Sequence, residues 1–305
     1  MLALGMMVLL LLSACGSNAS TTQEGGSTAG KTSGSTSSGK TPQELLESSI
    51  VAMKELKTAH FEMTTVTQTS SGSAASRQGS GMDLKDSGDQ VFPNELSMQL
   101  TINSAGASQG VNLAEVVTGQ KVYIQNPKGK WYVLDDAAMD ASANPLAGAN
   151  VTNYNNLLTL AEKSKLTDHG SETIGGTTVH HISASFGSQA LHDLLTATGQ
   201  LNSLSAQERA KMEQALKDAK LENPTLHLWI DETTFYVRRL ELKFVMNVNS
   251  SATATTGKSI SSSITPSVMS TSVDTTIDYS KFNAPVKIAA PTSATATTNV
   301  AQIFQ

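Results

Sequence analysis

The stretch YVRRLELKFVMNV, Tyr236–Val248, decides the fold class. Leu240, Leu242, Phe244, Met246 and Val248 fall on one side of an extended chain. Arg239, Glu241, Lys243 and Asn247 fall on the other. Side chains alternate across a strand with a period of two, so this is a long strand with one apolar and one polar face. Such a strand needs antiparallel neighbours and a layer to cover its apolar side.

Both neighbours are legible nearby. Leu226, Leu228 and Ile230 supply a partner strand upstream, with a turn near Asp231–Thr234. Downstream, a Ser/Thr-rich loop from roughly Asn249 to Ser262 precedes Met269–Tyr279, which puts Val273, Ile277 and Tyr279 on one face. Nearer the N-terminus, Leu96, Met98, Leu100 and Ile102 alternate with Ser97, Gln99, Thr101 and Asn103, again a half-buried strand. Val111–Thr118 and Lys121–Gln125 flank Gly119-Gln120 as a hairpin, and Lys121–Gln125 pairs onward with Lys130–Leu134 across Asn126–Gly129. Gly175-Gly176 marks a third hairpin between Lys165–Ile174 and Thr177–Phe186. Ala59-His60-Phe61-Glu62-Met63-Thr64 opens one more strand, which runs into Thr- and Ser-rich sequence.

The covering layer is helical. Thr41-Pro42-Gln43-Glu44 is a capping box with Pro at the first helical position; Leu46, Ile50, Met53 and Leu56 follow at helical spacing, predicting a helix to about Lys57. Tyr154–Lys163, Ser188–Thr198 and a helix opened by Ser205-Ala206-Gln207-Glu208 and running to about Lys220 are likewise amphipathic. The expected fold is α+β: a strongly curved antiparallel sheet with several helices covering its concave face. It occupies residues 41–288, followed by a frayed tail over 289–305.

The N-terminus reads differently. Met1–Leu12 is apolar apart from Gly5, too short for a spanning helix of roughly 20 residues, and it fits a signal peptide over residues 1–14. Leu12-Ser13-Ala14-Cys15 resembles a bacterial lipobox, which implies that Cys15 is the lipid attachment point, carrying palmitate-type acyl chains. The alternative is a buried Cys in a short core segment. The segment lacks the usual positive charge before its apolar run, which a start a few residues upstream would supply. Cys15 is the only cysteine, so no disulfide forms within the chain. Residues 16–40 are almost wholly Gly, Ser, Thr, Ala and Asn, the composition of a flexible tether spanning about 25–30 Å on average.

Several chemical signatures fail on context. Gly25–Thr32 and Gly34–Thr41 match the phosphate-loop pattern, but neither follows a strand. His180-His181 invites a metal, yet adjacent strand residues point to opposite faces, and no further His or Cys lies at zinc spacing, so no metal site is expected. Asp135, Asp136 and Asp140 lack the spacing of a calcium loop and read as a solvated turn. No G-x-S-x-G elbow or other catalytic constellation occurs, so neither an enzyme nor a cofactor is expected. Trp131 and Trp229 read as packing residues. The net charge of −5 argues against a nucleic-acid partner.

The ordered set of segments is similar to the LppX/LprA/LprF/LprG group of lipidated envelope proteins, whose fold is LolA/LolB-like. The resemblance runs through Leu56-Lys57-Thr58-Ala59-His60-Phe61, Val122-Tyr123-Ile124, Lys130-Trp131-Tyr132 and Leu157-Leu158. It continues through Glu172–His180, Leu226-His227-Leu228-Trp229-Ile230-Asp231 and Asp278–Asn283, covering most of residues 42–290. It implies an open antiparallel half-barrel enclosing an apolar cavity. It also implies a membrane-anchored lipoprotein on the outer, extracytoplasmic side of the cell membrane, which binds an acylated lipid or glycolipid and carries or presents it, with a membrane transporter as candidate protein partner. The cavity candidates are Leu96, Met98, Leu100, Ile102, Val122, Ile124, Leu226, Leu228, Ile230, Leu240, Leu242, Phe244 and Met246. Two alternatives stand beside this reading: these rows form an ordinary packed core, or the protein is a regulatory or sensory lipoprotein signalling to a protein partner.

Overall fold

The long amphipathic strand read at Tyr236–Val248 runs through Val237–Ser250 and lies inside an open sheet of twelve strands. The computed structural model describes residues 39–72, 78–105, 110–134, 154–197, 206–250, 267–297 and 303. Cys15, the tether to residue 38, Asp135, Asp136, Asp140, Ser205 and residues 251–266 lie outside these.

The elements are α1 (Pro42–Lys54), β1 (Thr58–Gly72), β2 (Gln78–Val91), β3 (Glu95–Ser104), β4 (Val111–Thr118), β5 (Lys121–Gln125), β6 (Trp131–Leu134) and α2 (Tyr154–Glu162). They continue with β7 (Lys165–Ile174), β8 (Thr177–Ser185), α3 (Ser188–Ala197), α4 (Ala206–Asp218), β9 (Lys220–Asp231), β10 (Val237–Ser250), β11 (Ser267–Ser280) and β12 (Thr295–Thr297). The sheet order is β12-β6-β5-β4-β3-β2-β1-β11-β10-β9-β8-β7. From β1 the chain meanders outward to β6. It re-enters at the far edge as β7 and returns through β11 to β1. Every pairing is antiparallel except β12 with β6.

Local chemistry accounts for most boundaries. Thr41 caps α1: its hydroxyl accepts from the Glu44 N–H at 3.3 Å, and Glu44 Oε2 accepts from the Thr41 N–H at 2.8 Å. The helix stops at Lys54, three residues before the expected end, because the Lys57 N–H donates to Asn283 Oδ1 at 2.9 Å and the chain is already turning into β1. Gly119 and Gln120, and again Gly175 and Gly176, have positive φ at both central turn positions, the geometry that two-residue hairpins require. The strand before the Asp231 turn begins at Lys220 rather than Leu226, and α4 ends at Asp218 rather than at about Lys220. The Asn223-Pro224 step falls at a bulge against Lys243–Val245, which is where a residue without an N–H is tolerated.

Two elements differ from expectation. β2 is a full-length strand at the heart of the sheet, although its sequence QGSGMDLKDSGDQV is rich in Gly, Asp and Ser. Its neighbours impose it: β1 pairs along one side and β3 along the other. A Cβ on Gly88 would collide with Ser97 O and lie 2.8 Å from Met98 Cα, so glycine permits the close approach of β2 to β3. The tail expected to fray from about Ala289 carries β12, and Ile303 is buried against Val122, Ile124 and Leu134.

One sheet face is largely apolar, and helices contribute to the core on it. Leu45, Leu46 and Met53 of α1, Leu157, Leu158, Leu160 and Ala161 of α2, Leu191 of α3 and Leu216 of α4 share one core with the inward residues of the sheet. α1 touches β7 and β9, α2 touches β8, and α4 touches β10. Among the described residues, no helix is long and apolar enough to cross a membrane.

Candidate functional site

The inner face of the sheet is a grid whose rows follow from register. One row runs Leu113, Leu100, Asp86, Met63, Ile277, Leu240, Leu228, Ile182 from β4 to β8. The next runs Ile102, Leu84, Thr65, Thr275, Leu242, Leu226, Ala184 from β3 to β8. Eleven of the thirteen cavity candidates lie in this single cluster. Val122 and Ile124 do not: they are buried in a separate group with Leu134 and Ile303.

The face is less uniformly aliphatic than the sequence implied. Thr65, Thr67, Thr271 and Thr275 are buried on its two central strands, and Thr65 Oγ1 shares a hydrogen bond with Thr275 Oγ1 at 3.0 Å. Thr residues in a Thr-rich strand carry no sign of which ones face inward until the register is known.

Two acids stand in the same grid. Asp86 is 4% exposed and faces Leu100; Glu115 is 5% exposed and faces Met98. Among the described residues, neither carboxylate oxygen of Asp86 has a hydrogen-bond partner. Burial pushes Asp86 up to about 6 and Glu115 up to about 7, the latter also raised by the charge of Asp86. Burial disfavours the charged form of an acid, so both keep their protons to a higher pH than an exposed carboxyl does. Sequence reading missed both. The signal was present in part, since Asp86 follows Met82 and Leu84 at a spacing of two.

On the outer face, β7, β8 and β9 bring three imidazoles together. His181 Nε2 lies 2.8 Å from His227 Nδ1, and the His169 ring stacks on His181 with centroids 4.3 Å apart. His169 reaches this position because it is the extra residue of a bulge between Asp168 and Gly170, and Gly170 has a φ of 83°. His181 Nδ1 lies 3.2 Å from Glu172 Oε1, and His169 Nε2 lies 2.8 Å from Ser183 Oγ. Trp229 stacks on the other side of His181 at 4.3 Å and donates its N–H to Glu172. It packs in this outer cluster and not in the core. Burial, together with the neighbouring imidazoles His169 and His227, pushes His181 down to about 4; burial also lowers His227. His180 points the other way and is buried between Asp168, 2.7 Å from Nε2, and Glu232, 3.4 Å from Nδ1.

Residues 41–299 match a protein family described as "Family of unknown function (DUF6612)", and the chain belongs to that family. No curated protein matches the sequence. In structure the chain is similar to LprF from Mycobacterium bovis, with a TM-score of 0.42 and 15% identity over 82% of this chain and 96% of that one. It is also similar to the Mycobacterium tuberculosis lipoprotein LppX, with a TM-score of 0.38 and 14% identity over 82% and 100%. A LolA superfamily protein from Nitrosomonas europaea gives a TM-score of 0.21 and 11% identity over 81% and 95%. LprF and LppX are among the proteins that the order of segments in the sequence resembles.

Proposed function

We propose that this member of the DUF6612 family is a lipid-anchored envelope protein that takes the acyl chains of a lipid or glycolipid against the inner face of its sheet, and carries or presents that lipid outside the cytoplasm. In this reading Cys15 holds the protein to the membrane, the tether lets the domain stand off the headgroups, and the sheet curves into a half-barrel with helices across its concave side.

The observation that carries the proposal is the composition of the inner face. It is a largely aliphatic wall spread over eight strands, interrupted by buried threonines on β1 and β11, and it contains Asp86, buried with neither oxygen partnered among the described residues. A core built for stability alone has no use for such a group, because leaving a buried polar group unsatisfied costs about 1–3 kcal/mol or more. A wall that receives an amphiphile does have a use for it. Hydrocarbon leaving a bilayer must be compensated at about 0.8 kcal/mol per CH₂. Leu96, Met98, Leu100, Ile102, Leu226, Leu228, Ile230, Leu240, Leu242, Phe244 and Met246 provide that environment. Asp86, Glu115 and the Thr65–Thr275 pair provide hydrogen-bonding groups for the polar end.

Native mass spectrometry of residues 41–305, made in a bacterial host, tests this. Discrete added masses that organic solvent releases are the expected result. Clean apo-protein from several hosts would overturn it.

A further inference from the structure

The outer imidazole cluster is the most specific arrangement in the molecule that the proposed function does not use. We propose that His169, His181 and His227 form a three-imidazole binding site for a divalent transition metal ion of the zinc class, with Glu172 and Ser183 fixing the ligand orientations.

The geometry carries this. One ring nitrogen from each histidine lies within 4.8 Å of the other two. A tetrahedral zinc ion with Zn–N distances of about 2.0–2.1 Å needs its nitrogens about 3.4 Å apart. The 2.8 Å separation of His181 Nε2 from His227 Nδ1 lies below that spacing, and the 4.8 Å limit lies above it. The spacings among the three nitrogens therefore bracket the one that a tetrahedral ion requires.

The surroundings fit as well. A metal-bound imidazole uses one nitrogen for the ion and gives its other N–H to a carboxylate or similar acceptor, which fixes the tautomer and the ring plane. His181 has this arrangement in place: Nε2 faces the cluster while Nδ1 faces Glu172. His169 engages Ser183 Oγ through Nε2, which leaves Nδ1 for an ion. Trp229 stacks on His181 and also donates to Glu172, so the orienting carboxylate is itself held. Three imidazoles and no thiolate favour zinc, copper or nickel over calcium and magnesium, which take oxygen ligands. Three protein ligands leave the fourth position for water or an outside group.

The spacing of the histidines in sequence hides the site. It is built from three neighbouring strands, and one ligand is delivered by a bulge.

The test uses the full-length protein, stripped of metal and titrated with Zn²⁺ alone by calorimetry, with bound zinc counted by elemental analysis after dialysis. One zinc per chain is expected, with His181→Gln and His227→Gln each weakening binding by about ten-fold or more, and Glu172→Gln by roughly 10–100-fold. His192→Gln, on α3 and outside the cluster, should leave binding unchanged. Zinc-edge X-ray absorption on the unmodified protein reads the ligand set directly, so the outcome does not depend on the variants folding; three imidazole nitrogens are expected. Absence of stoichiometric zinc, a ligand set with fewer than two imidazoles, or full binding by the folded His181→Gln/His227→Gln double variant would overturn the proposal.

Discussion

Asp86 on β2 and Glu115 on β4 occupy adjacent rows of the inner face, separated only by the strand that carries Met98 and Leu100. Two carboxyls so placed cannot both ionise without cost. Their folded-state values lie above the unfolded ones, so folding favours the protonated forms. The stability they contribute is complete below about pH 4. It is lost as the pH rises through about 6 for Asp86 and about 7 for Glu115. We expect Asp86→Asn and Glu115→Gln each to stabilise the protein near pH 8 by about 2 kcal/mol, and the double variant to flatten the pH profile. Urea unfolding between about pH 5 and pH 8 measures this. A double variant with the same profile as the parent would mean that solvent reaches both acids.

Asp231 anchors the turn from β9 into β10. Its carboxylate accepts from Arg238 Nη2 at 2.7 Å and Nε at 3.1 Å, and from the N–H groups of Thr233 and Thr234 at 2.9 and 3.0 Å. Burial alone would raise its titration; the N–H of Thr234, the Arg238 guanidinium and the N–H of Thr233 outweigh it and hold the group below the usual carboxylate range. That contribution is present above about pH 4 and is lost as the pH falls. Asp231→Ala should cost about 3–5 kcal/mol by leaving Arg238 and two amides unpaired. Thermal unfolding reads the effect, and a loss under about 1 kcal/mol would show that the turn holds without it.

Leu242 faces Thr275 on one side and Leu226 on the other, and is 3% exposed. Under the proposed function, Leu242→Arg should abolish co-purification of lipid, because a guanidinium on the inner wall repels hydrocarbon. Leu242→Ala should lower stability by about 2–5 kcal/mol while still loading. Circular dichroism establishes the fold and native mass spectrometry counts the lipid. Undiminished loading by a folded Leu242→Arg would remove β10 from the lining.

Cys15→Ser tests the proposed anchor separately from the proposed lipid-binding face. Under the proposed function the variant is expected in the soluble fraction, since stable anchoring takes two or more acyl chains and the Cys15 thiol is the proposed point of attachment for the first. Fractionation followed by immunoblotting checks it, and continued sedimentation with membranes would count against the lipobox reading.

The sequence by itself determined many of the elements and the local chemistry that starts or turns them. Alternation at Leu240–Val248 set a one-faced strand, the Thr41–Glu44 box started α1, and paired positive-φ positions at Gly119-Gln120 and Gly175-Gly176 set hairpins. These are local: each depends on residues a few positions apart, where steric and hydrogen-bonding rules act without reference to the rest of the chain. β2 was illegible because its Gly- and Asp-rich sequence has no strand preference of its own; two flanking strands impose its conformation. The candidate site features were decided only in three dimensions. Whether Thr65, Asp86 or Glu115 faces inward depends on register, and a slip by one residue reverses every side chain. His169, His181 and His227 meet because β7, β8 and β9 pair and a bulge turns His169 outward, a contact between residues up to 58 positions apart in the chain. Pairing between distant strands is a property of the whole sheet, and no short stretch of sequence contains it.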